Sequence, residues 1–123
     1  MNSMKLPDKE LVIAVDLDGT LAKYRGWSHI IGTPLPKARH FLQTLHRLHY
    51  KILIYTTRGN EHARTWLRHH RMPFDYIGNN PNLPTDGSKP VAHLYVDDRS
   101  IRFTGDFSKC IQEILRYKAW WNK

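Results

Sequence analysis

Two kinds of hydrophobic pattern alternate along the chain. Short apolar runs rich in β-branched residues occupy 11–17 (LVIAVDL) and 51–55 (KILIY), with weaker runs at 74–77 and 93–96. Such runs are typical of strands buried on both faces, as in a parallel sheet. Between and after them, apolar residues recur at helical spacing following Pro36, over 61–71 and from Phe107 onward. The alternation predicts an α/β fold with a three-layer, Rossmann-like parallel sheet and helices on both faces.

The length of the chain bounds its organisation. With 123 residues it fits one compact domain, which we place at residues 11–123, after a flexible polar N-terminus at 1–10. No apolar run approaches the roughly 20 residues needed to cross a bilayer, so no membrane partner is expected. A single cysteine, Cys110, excludes an internal disulfide framework and favours a reducing, cytoplasmic compartment.

Charge narrows the classes of partner. The net charge of +8, with histidines neutral, attracts anions such as phosphorylated metabolites, nucleotides and nucleic acids. A surface that serves solubility alone is the competing interpretation. The eight histidines are scattered, and none is placed with a cysteine or carboxylate set that would complete a zinc site.

Carboxylates follow two of the predicted strands. Asp16 and Asp18 stand at the end of the first strand, and Asp97 and Asp98 follow the run at 93–96. Because ligands of parallel sheets bind beyond the carboxyl ends of the strands, we expect these acids to converge. Converging carboxylates repel unless a cation or a proton neutralises them, and Mg²⁺ prefers oxygen ligands of this kind. Thr56, after the second strand, adds a hydroxyl at the same edge.

These residues resemble a known set of motifs. DLDGT at 16–20 resembles the first motif of the haloacid dehalogenase (HAD) superfamily, whose members are mostly phosphatases. Thr56 after KILIY resembles the second motif, Lys89 in SKP the third, and Asp97-Asp98 in LYVDD the fourth. The resemblance runs from about Leu11 to the C-terminus, and all four parts occur in order.

The resemblance implies a mechanism. Asp16 would be the nucleophile that forms an aspartyl-phosphate, and Asp18 the general acid and base. Mg²⁺ would be held by the Asp16 side chain, the Asp18 backbone carbonyl and Asp98, with Asp97 behind them orienting waters or Lys89. Retention of Asp18 argues against the dehalogenase branch of the superfamily.

The substrate side of the resemblance is less defined. Thr56 and Lys89 would surround the phosphoryl group, and the candidate substrate contacts are Gly19, Thr57 and Arg58. The segments ending at Arg58 and Arg99 are also similar to the phosphatase domain of phage polynucleotide kinase-phosphatases.

The spacing of the motifs leaves no room for the cap domain of larger relatives, since neither interval between motifs holds more than a helix with its loops. An open site suits large substrates, so a nucleotide or polynucleotide phosphate end is the leading candidate. Water must then be excluded by the substrate, a loop or a neighbouring subunit, for example in a homo-oligomer. The alternative function is a catalytically idle HAD-fold module that binds nucleic acid or assists another protein.

Several individual residues keep two interpretations. Thr56 is either a phosphate ligand or a helix N-cap. Arg58 and Arg99 either grip a phosphate with their forked guanidinium groups or pair with the local acids. The loop residues Tyr24, Arg25 and Trp27 either stack on a base or pack onto the domain, and Trp120 and Trp121 show no evident chemical role.

Overall fold

The computed structural model describes residues 10–26, 28–87 and 89–122. The predicted flexible N-terminus therefore lies outside the described residues except for Glu10. That residue is not loose, because its carboxylate accepts a hydrogen bond of 2.8 Å from the Tyr76 hydroxyl.

The chain folds as an α/β protein. Its elements in order are β1 (Val12–Asp16), α1 (Ala38–Arg47), β2 (Lys51–Tyr55), α2 (Asn60–His69), β3 (Tyr76–Ile77), β4 (Leu94–Val96) and α3 (Phe107–Arg116). The strands form one four-stranded sheet in the order β3-β2-β1-β4, and every pairing is parallel. The predicted α/β class and parallel sheet are confirmed.

The first residues of two helices show how far the local sequence determines a helix boundary. Asp106 caps α3, since its carboxylate accepts a hydrogen bond of 3.1 Å from the Lys109 amide. Pro36 does not open α1, because Lys37 adopts a left-handed conformation with φ of 67° and the helix begins after it.

One face of the sheet carries the main core. Alternate strand residues Ile13, Val15, Ile52 and Ile54 pack there in one cluster with residues of both α1 and α2. This follows from the strand order. The connections β1-α1-β2 and β2-α2-β3 move in the same direction across the sheet, and right-handed crossovers in one direction place their helices on one face.

The opposite face is covered differently from the prediction. The return from β3 to β4 crosses back over the sheet, but its described residues, 78–87 and 89–93, contain no helix. The side chain of Asn80, buried in that loop, donates to the Val91 carbonyl at 3.1 Å. Val12, Ala14 and Leu53 form a smaller cluster on this side.

The predicted helices on both faces are therefore corrected for the described residues. None of the residues of α3 is buried, so this helix does not form a packed second layer. Its apolar side chains, together with Phe103, remain open to solvent; they are Phe107, Ile111, Ile114 and Leu115. The spacing predicted an apolar face correctly, but nothing in the described part of the chain covers it.

None of the helices described is both long and apolar enough to pass through a bilayer.

Candidate active site

Strand pairing brings the predicted acids together. Asp16 ends β1 opposite Tyr55 of β2, and Val15 pairs with Val96 of β4. Since the strands are parallel, Asp97 and Asp98 emerge at the same edge as Asp16. The chain runs from β1 to β2 and β3 on one side and then returns to β4 on the other side of β1, and ligand crevices in parallel sheets form where the strand order reverses in this way.

Three carboxylates meet there. One oxygen each of Asp16, Asp97 and Asp98 lies within 4.8 Å of the others. Burial raises the pKa of Asp16 from 3.8 to about 8, helped by a hydrogen bond with Asp98 and by the negative charges of Asp97 and Asp98, while the Leu17 amide acts in the opposite direction. The cluster therefore favours a proton or a cation that neutralises it.

Asp98 offers the clearest ligand atom of this cluster. Its side chain is 1% exposed, and Oδ2 accepts a hydrogen bond of 2.6 Å from Trp121 Nε1. Its buried Oδ1 has no hydrogen-bond partner among the described residues. A buried carboxylate oxygen without a partner is costly, and a divalent cation shared with Asp16 would satisfy it. The donor set thus fits a hard cation such as Mg²⁺.

Asp97, in contrast, accepts hydrogen bonds from neighbouring residues with both of its carboxylate oxygens. Its Oδ2 accepts from the Tyr55 hydroxyl at 2.7 Å, and its Oδ1 accepts from the Arg99 amide at 2.8 Å. The second contact caps the turn after β4. Because both oxygens already have donors, Asp97 is the less available ligand of the adjacent pair.

The carboxylate of Asp18 is not part of the three-acid cluster. Both of its oxygens accept from the Arg58 guanidinium, at 2.8 Å from Nε and 2.9 Å from Nη2. Of the two interpretations of Arg58, the pairing with a local acid is the one present in the structure. This forked contact raises the pKa of Arg58 and holds the Asp18 carboxylate in one orientation.

A cavity of about 730 Å³ opens beside these groups. We call it the aspartate cavity; it is lined by Asp16, Asp18, Tyr55, Thr56, Thr57, Gly78, Lys89, Pro90, Tyr95, Asp97, Arg99 and Ser100. Predicted residues of all four motifs thus line one cavity. The Lys89 ammonium lies 4.7 Å from the Tyr95 ring centre, where cation and ring attract each other.

Two predicted site residues have structural contacts as well. The Thr56 hydroxyl accepts from the Arg58 amide at 3.1 Å, so it shapes the turn after β2. It is not the N-cap of α2, a position held by Gly59. Gly19 has φ of +84°, and a Cβ there would collide with the Asp98 carboxylate. Gly19 is absent from the lining of the aspartate cavity, so its visible role is to leave room for Asp98.

The contribution of the C-terminal segment to the site was not predicted from the sequence. Besides the bond from Trp121 to Asp98, Trp120 Nε1 donates to the Gly19 carbonyl at 2.7 Å, and the Tyr117 hydroxyl donates to the Asp98 carbonyl. Three aromatic donors within five residues after the last helix were the available signal.

In the loop after β1, Tyr24 packs against other residues of the domain. Tyr24 stacks on Trp121, with ring centres 3.9 Å apart, and the Arg99 guanidinium lies 5.5 Å from the Tyr24 ring centre. Tyr24 therefore packs onto the domain, as the second interpretation held. Trp27 lies outside the described residues.

Comparison with known proteins gives a likeness of fold. The structure is similar to that of a conserved protein from Bacteroides thetaiotaomicron, with a TM-score of 0.63 and 23% sequence identity over 93% of this chain and 97% of the other. No protein-family model and no curated protein matches the chain.

The raised pKa of Asp16 predicts a pH-dependent stability without metal. The unfolded carboxyl loses its proton near pH 3.8 and the folded one near pH 8, so this group's stabilising contribution is complete below pH 3.8. It is lost progressively as the pH rises to about 8. Asp16→Asn cannot titrate. In EDTA it should exceed wild type in unfolding free energy by at least about 1 kcal/mol at pH 8, the equivalent of one pKa unit, and match it at low pH.

Thermal unfolding across this pH range measures the difference. Asp106→Asn, the same substitution at an exposed N-cap where Asn also caps, should show no comparable gain. Parallel pH curves for wild type and Asp16→Asn would contradict the neutralisation argument.

The contact from Trp121 predicts a change in cation affinity. Trp121→Phe keeps a ring to stack on Tyr24 but removes the donor that orients the Asp98 carboxylate. Since partners that orient metal ligands contribute about 10- to 100-fold in affinity, Mg²⁺ should bind at least about tenfold more weakly by calorimetry. Trp120→Phe removes a donor to the Gly19 carbonyl only and is the matched control. Equal Mg²⁺ affinity in wild type and Trp121→Phe would refute this role.

Proposed function

We propose that the chain is a magnesium-dependent phosphomonoester hydrolase of HAD type without a cap domain. The observation that carries the proposal is the partnerless, buried Oδ1 of Asp98 within the three-carboxylate cluster. A cation would satisfy such an atom, and Thr56, Lys89 and Asp18 line the cavity beside it. A hydroxyl, an ammonium and a carboxyl around a cation site are the groups that phosphoryl transfer uses.

In the first step of the proposed reaction, an Asp16 carboxylate oxygen attacks phosphorus and the bond from phosphorus to the leaving oxygen breaks. Asp18 gives its proton to that oxygen, so the alcohol leaves neutral. The product on the chain is an aspartyl-phosphate on Asp16. Lys89 and the Thr56 hydroxyl hold the phosphoryl oxygens as their charge develops.

In the second step, water attacks the same phosphorus and passes a proton to Asp18. The bond between phosphorus and the Asp16 oxygen breaks, which returns the carboxylate and releases inorganic phosphate. Mg²⁺, held by Asp16, Asp98 and the Asp18 carbonyl, would neutralise the carboxylates and the phosphoryl group so that the two anions can approach.

Arg58 has a double function in this scheme. Its fork holds the Asp18 carboxylate beside the cavity, yet a phosphate is an equally suitable partner for a guanidinium. We infer that an arriving phosphate draws Arg58 from Asp18, which frees Asp18 for proton transfer.

The proposed substrates are nucleotides or phosphorylated ends of polynucleotides. The net charge of +8 attracts polyanions, and the exposed ring of Tyr95 borders the cavity together with Tyr55. Aromatic rings at the entrance can stack on a base, a contact that a sugar phosphate cannot use in the same way.

The enzymatic proposal predicts magnesium-dependent hydrolysis of an aryl phosphate by the purified chain. Asp16→Asn should lose at least about a thousandfold in kcat, because the variant lacks its nucleophile. Asp18→Asn should retain a slow first step with a good leaving group and accumulate phosphorylated protein, detected by mass spectrometry after acid quench.

Asp106→Asn serves as the control for an Asp-to-Asn change outside the site and should retain full activity. The same assay with nucleotides and with 3′- and 5′-phosphorylated oligonucleotides ranks the substrates. Absence of magnesium-dependent turnover on every phosphate in the panel would sink the enzyme proposal in favour of an idle accessory module.

The proposed function of Arg58 predicts a selective loss. Arg58→Ala should lower kcat/KM by about tenfold or more, because Asp18 loses its orientation and the phosphate loses a forked partner. Arg58→Lys should rescue little of this loss, since an ammonium cannot make the forked contact. Arg64→Ala is the control, because Arg64 pairs with Glu61 on the exposed surface of α2. Wild-type kinetics in Arg58→Ala would rule out both functions.

A further inference from the structure

A second cavity, of about 560 Å³, lies between the segment that leads into α1 and the C-terminal end of α2. It shares no lining residue with the aspartate cavity. We call it the basic cavity, because no acid lines it and the following basic residues do: Lys37, Arg39, His40, His69, His70 and Arg71. Its volume is within the range of ordinary ligand pockets.

The permanent charges of the basic cavity are not neutralised by the described residues. Among the described residues, the basic members of the ion pairs are His46, Arg58, Arg64 and Arg99. None of them includes Lys37, Arg39 or Arg71. Three cations lining one concave surface produce a positive potential that concentrates anions.

The backbone conformation at two residues of this cavity is an independent sign that the cavity has a function. The described non-glycine residues with positive φ are Lys37 (67°), His49 (70°) and Arg71 (56°), and two of these three line the basic cavity. A left-handed conformation disfavours a residue that carries a Cβ. Strained positions of this kind are often functional.

Neither of the two positions suits its residue by local rules. Arg71 follows the end of α2 in a Schellman motif, where its amide donates to the Arg68 carbonyl and the Met72 amide to the Leu67 carbonyl; glycine is the usual residue there. Lys37 is the N-cap of α1 but makes no side-chain capping bond, which Ser, Thr, Asp or Asn would make. Both positions carry a cation at a conformational cost.

We propose that the basic cavity binds the phosphodiester backbone of a nucleic acid. The cations come from two separate segments of the chain, so they can contact successive phosphates of one strand. This proposal concerns binding alone and does not depend on hydrolysis at the aspartate cavity.

The test separates binding from catalysis by design. A fluorescein-labelled oligothymidylate of about 20 nucleotides, a length that spans ordinary single-strand sites, carries hydroxyls at its free ends and so offers no phosphomonoester. Its binding is followed by fluorescence anisotropy in EDTA, across a range of salt concentrations. Wild type should bind with an affinity that falls as salt rises.

Lys37→Gly and Arg71→Gly should each weaken binding while raising the midpoint of thermal unfolding. A phosphate contact on a single strand contributes a salt slope of about 0.7, or about fivefold in affinity at about 0.1 M salt. Glycine relieves the left-handed backbone, so stability and binding should move in opposite directions. A residue with a purely structural role would not show this opposition.

Matched controls exist elsewhere in the chain. His49→Gly changes the same position of a Schellman motif at the end of α1, outside the basic cavity, and should raise stability without weakening binding. Arg39→Glu in the first turn of α1 should weaken binding, whereas Lys109→Glu in the first turn of α3 makes the same charge change away from the cavity and should not.

Several results would overturn the proposal. Equal losses in Arg39→Glu and Lys109→Glu would mean that overall charge alone attracts the oligonucleotide. Unchanged binding in both Lys37→Gly and Arg71→Gly would remove the cavity from the interaction. Displacement of the oligonucleotide by equimolar inorganic phosphate would indicate a site for a single phosphate, and binding only to phosphatidylserine vesicles would indicate a membrane surface.

Discussion

Like-charge crowding at the carboxyl edge of the sheet is the constraint around which the site is organised. Parallel pairing of β1 with β4 brings Asp16 beside Asp97 and Asp98, and several nearby donors are directed at these carboxylates. The Tyr55 hydroxyl and the Arg99 amide donate hydrogen bonds to Asp97, while the Trp121 indole donates one to Asp98. These donors reduce the repulsion without removing it, because the Asp98 Oδ1 keeps no partner among the described residues. A site that protein donors leave incompletely neutralised retains affinity for a cation, at the expense of stability in its absence.

The fold and the acids were predictable because both depend on short-range pattern. Buried strands are recognised by continuous apolar runs, and the placement of Asp16 and Thr56 at strand ends follows once the strands are assigned. The partner of Arg58 was left open, because a guanidinium serves a carboxylate and a phosphate equally well. The structure shows the carboxylate contact, with Arg58 Nε 2.8 Å from Asp18 Oδ2. What covers the second sheet face could not be predicted either. An apolar helical stripe such as that of α3 identifies side chains that can be buried, but it does not show that a surface is available to bury them.

The contacts of the C-terminal segment could not be predicted from the periodicity of apolar residues. Trp120 and Trp121 follow the end of α3 and show no helical or strand spacing. Their indole groups act through single hydrogen bonds to Gly19 and Asp98 over large sequence separations. The absence of a Cβ at Gly19 is what gives the Asp98 carboxylate and the Trp121 ring their space. The first motif and the last residues of the chain are thus mutually dependent, and neither segment alone reveals the other.

This dependence bears on how water is excluded from the proposed site. The short intervals between motifs predicted an open site that a substrate, loop or subunit must close. The aspartate cavity is indeed bounded by side chains of the sheet edge and its loops, yet the Asp98 side chain beneath it is 1% exposed. Trp121, stacked on Tyr24, covers that carboxylate from within the same chain. Exclusion of water from the proposed cation ligands and access of a large substrate to the phosphoryl position are therefore separate structural tasks. The C-terminal segment contributes to the first through Trp121, and none of its described residues lines the aspartate cavity.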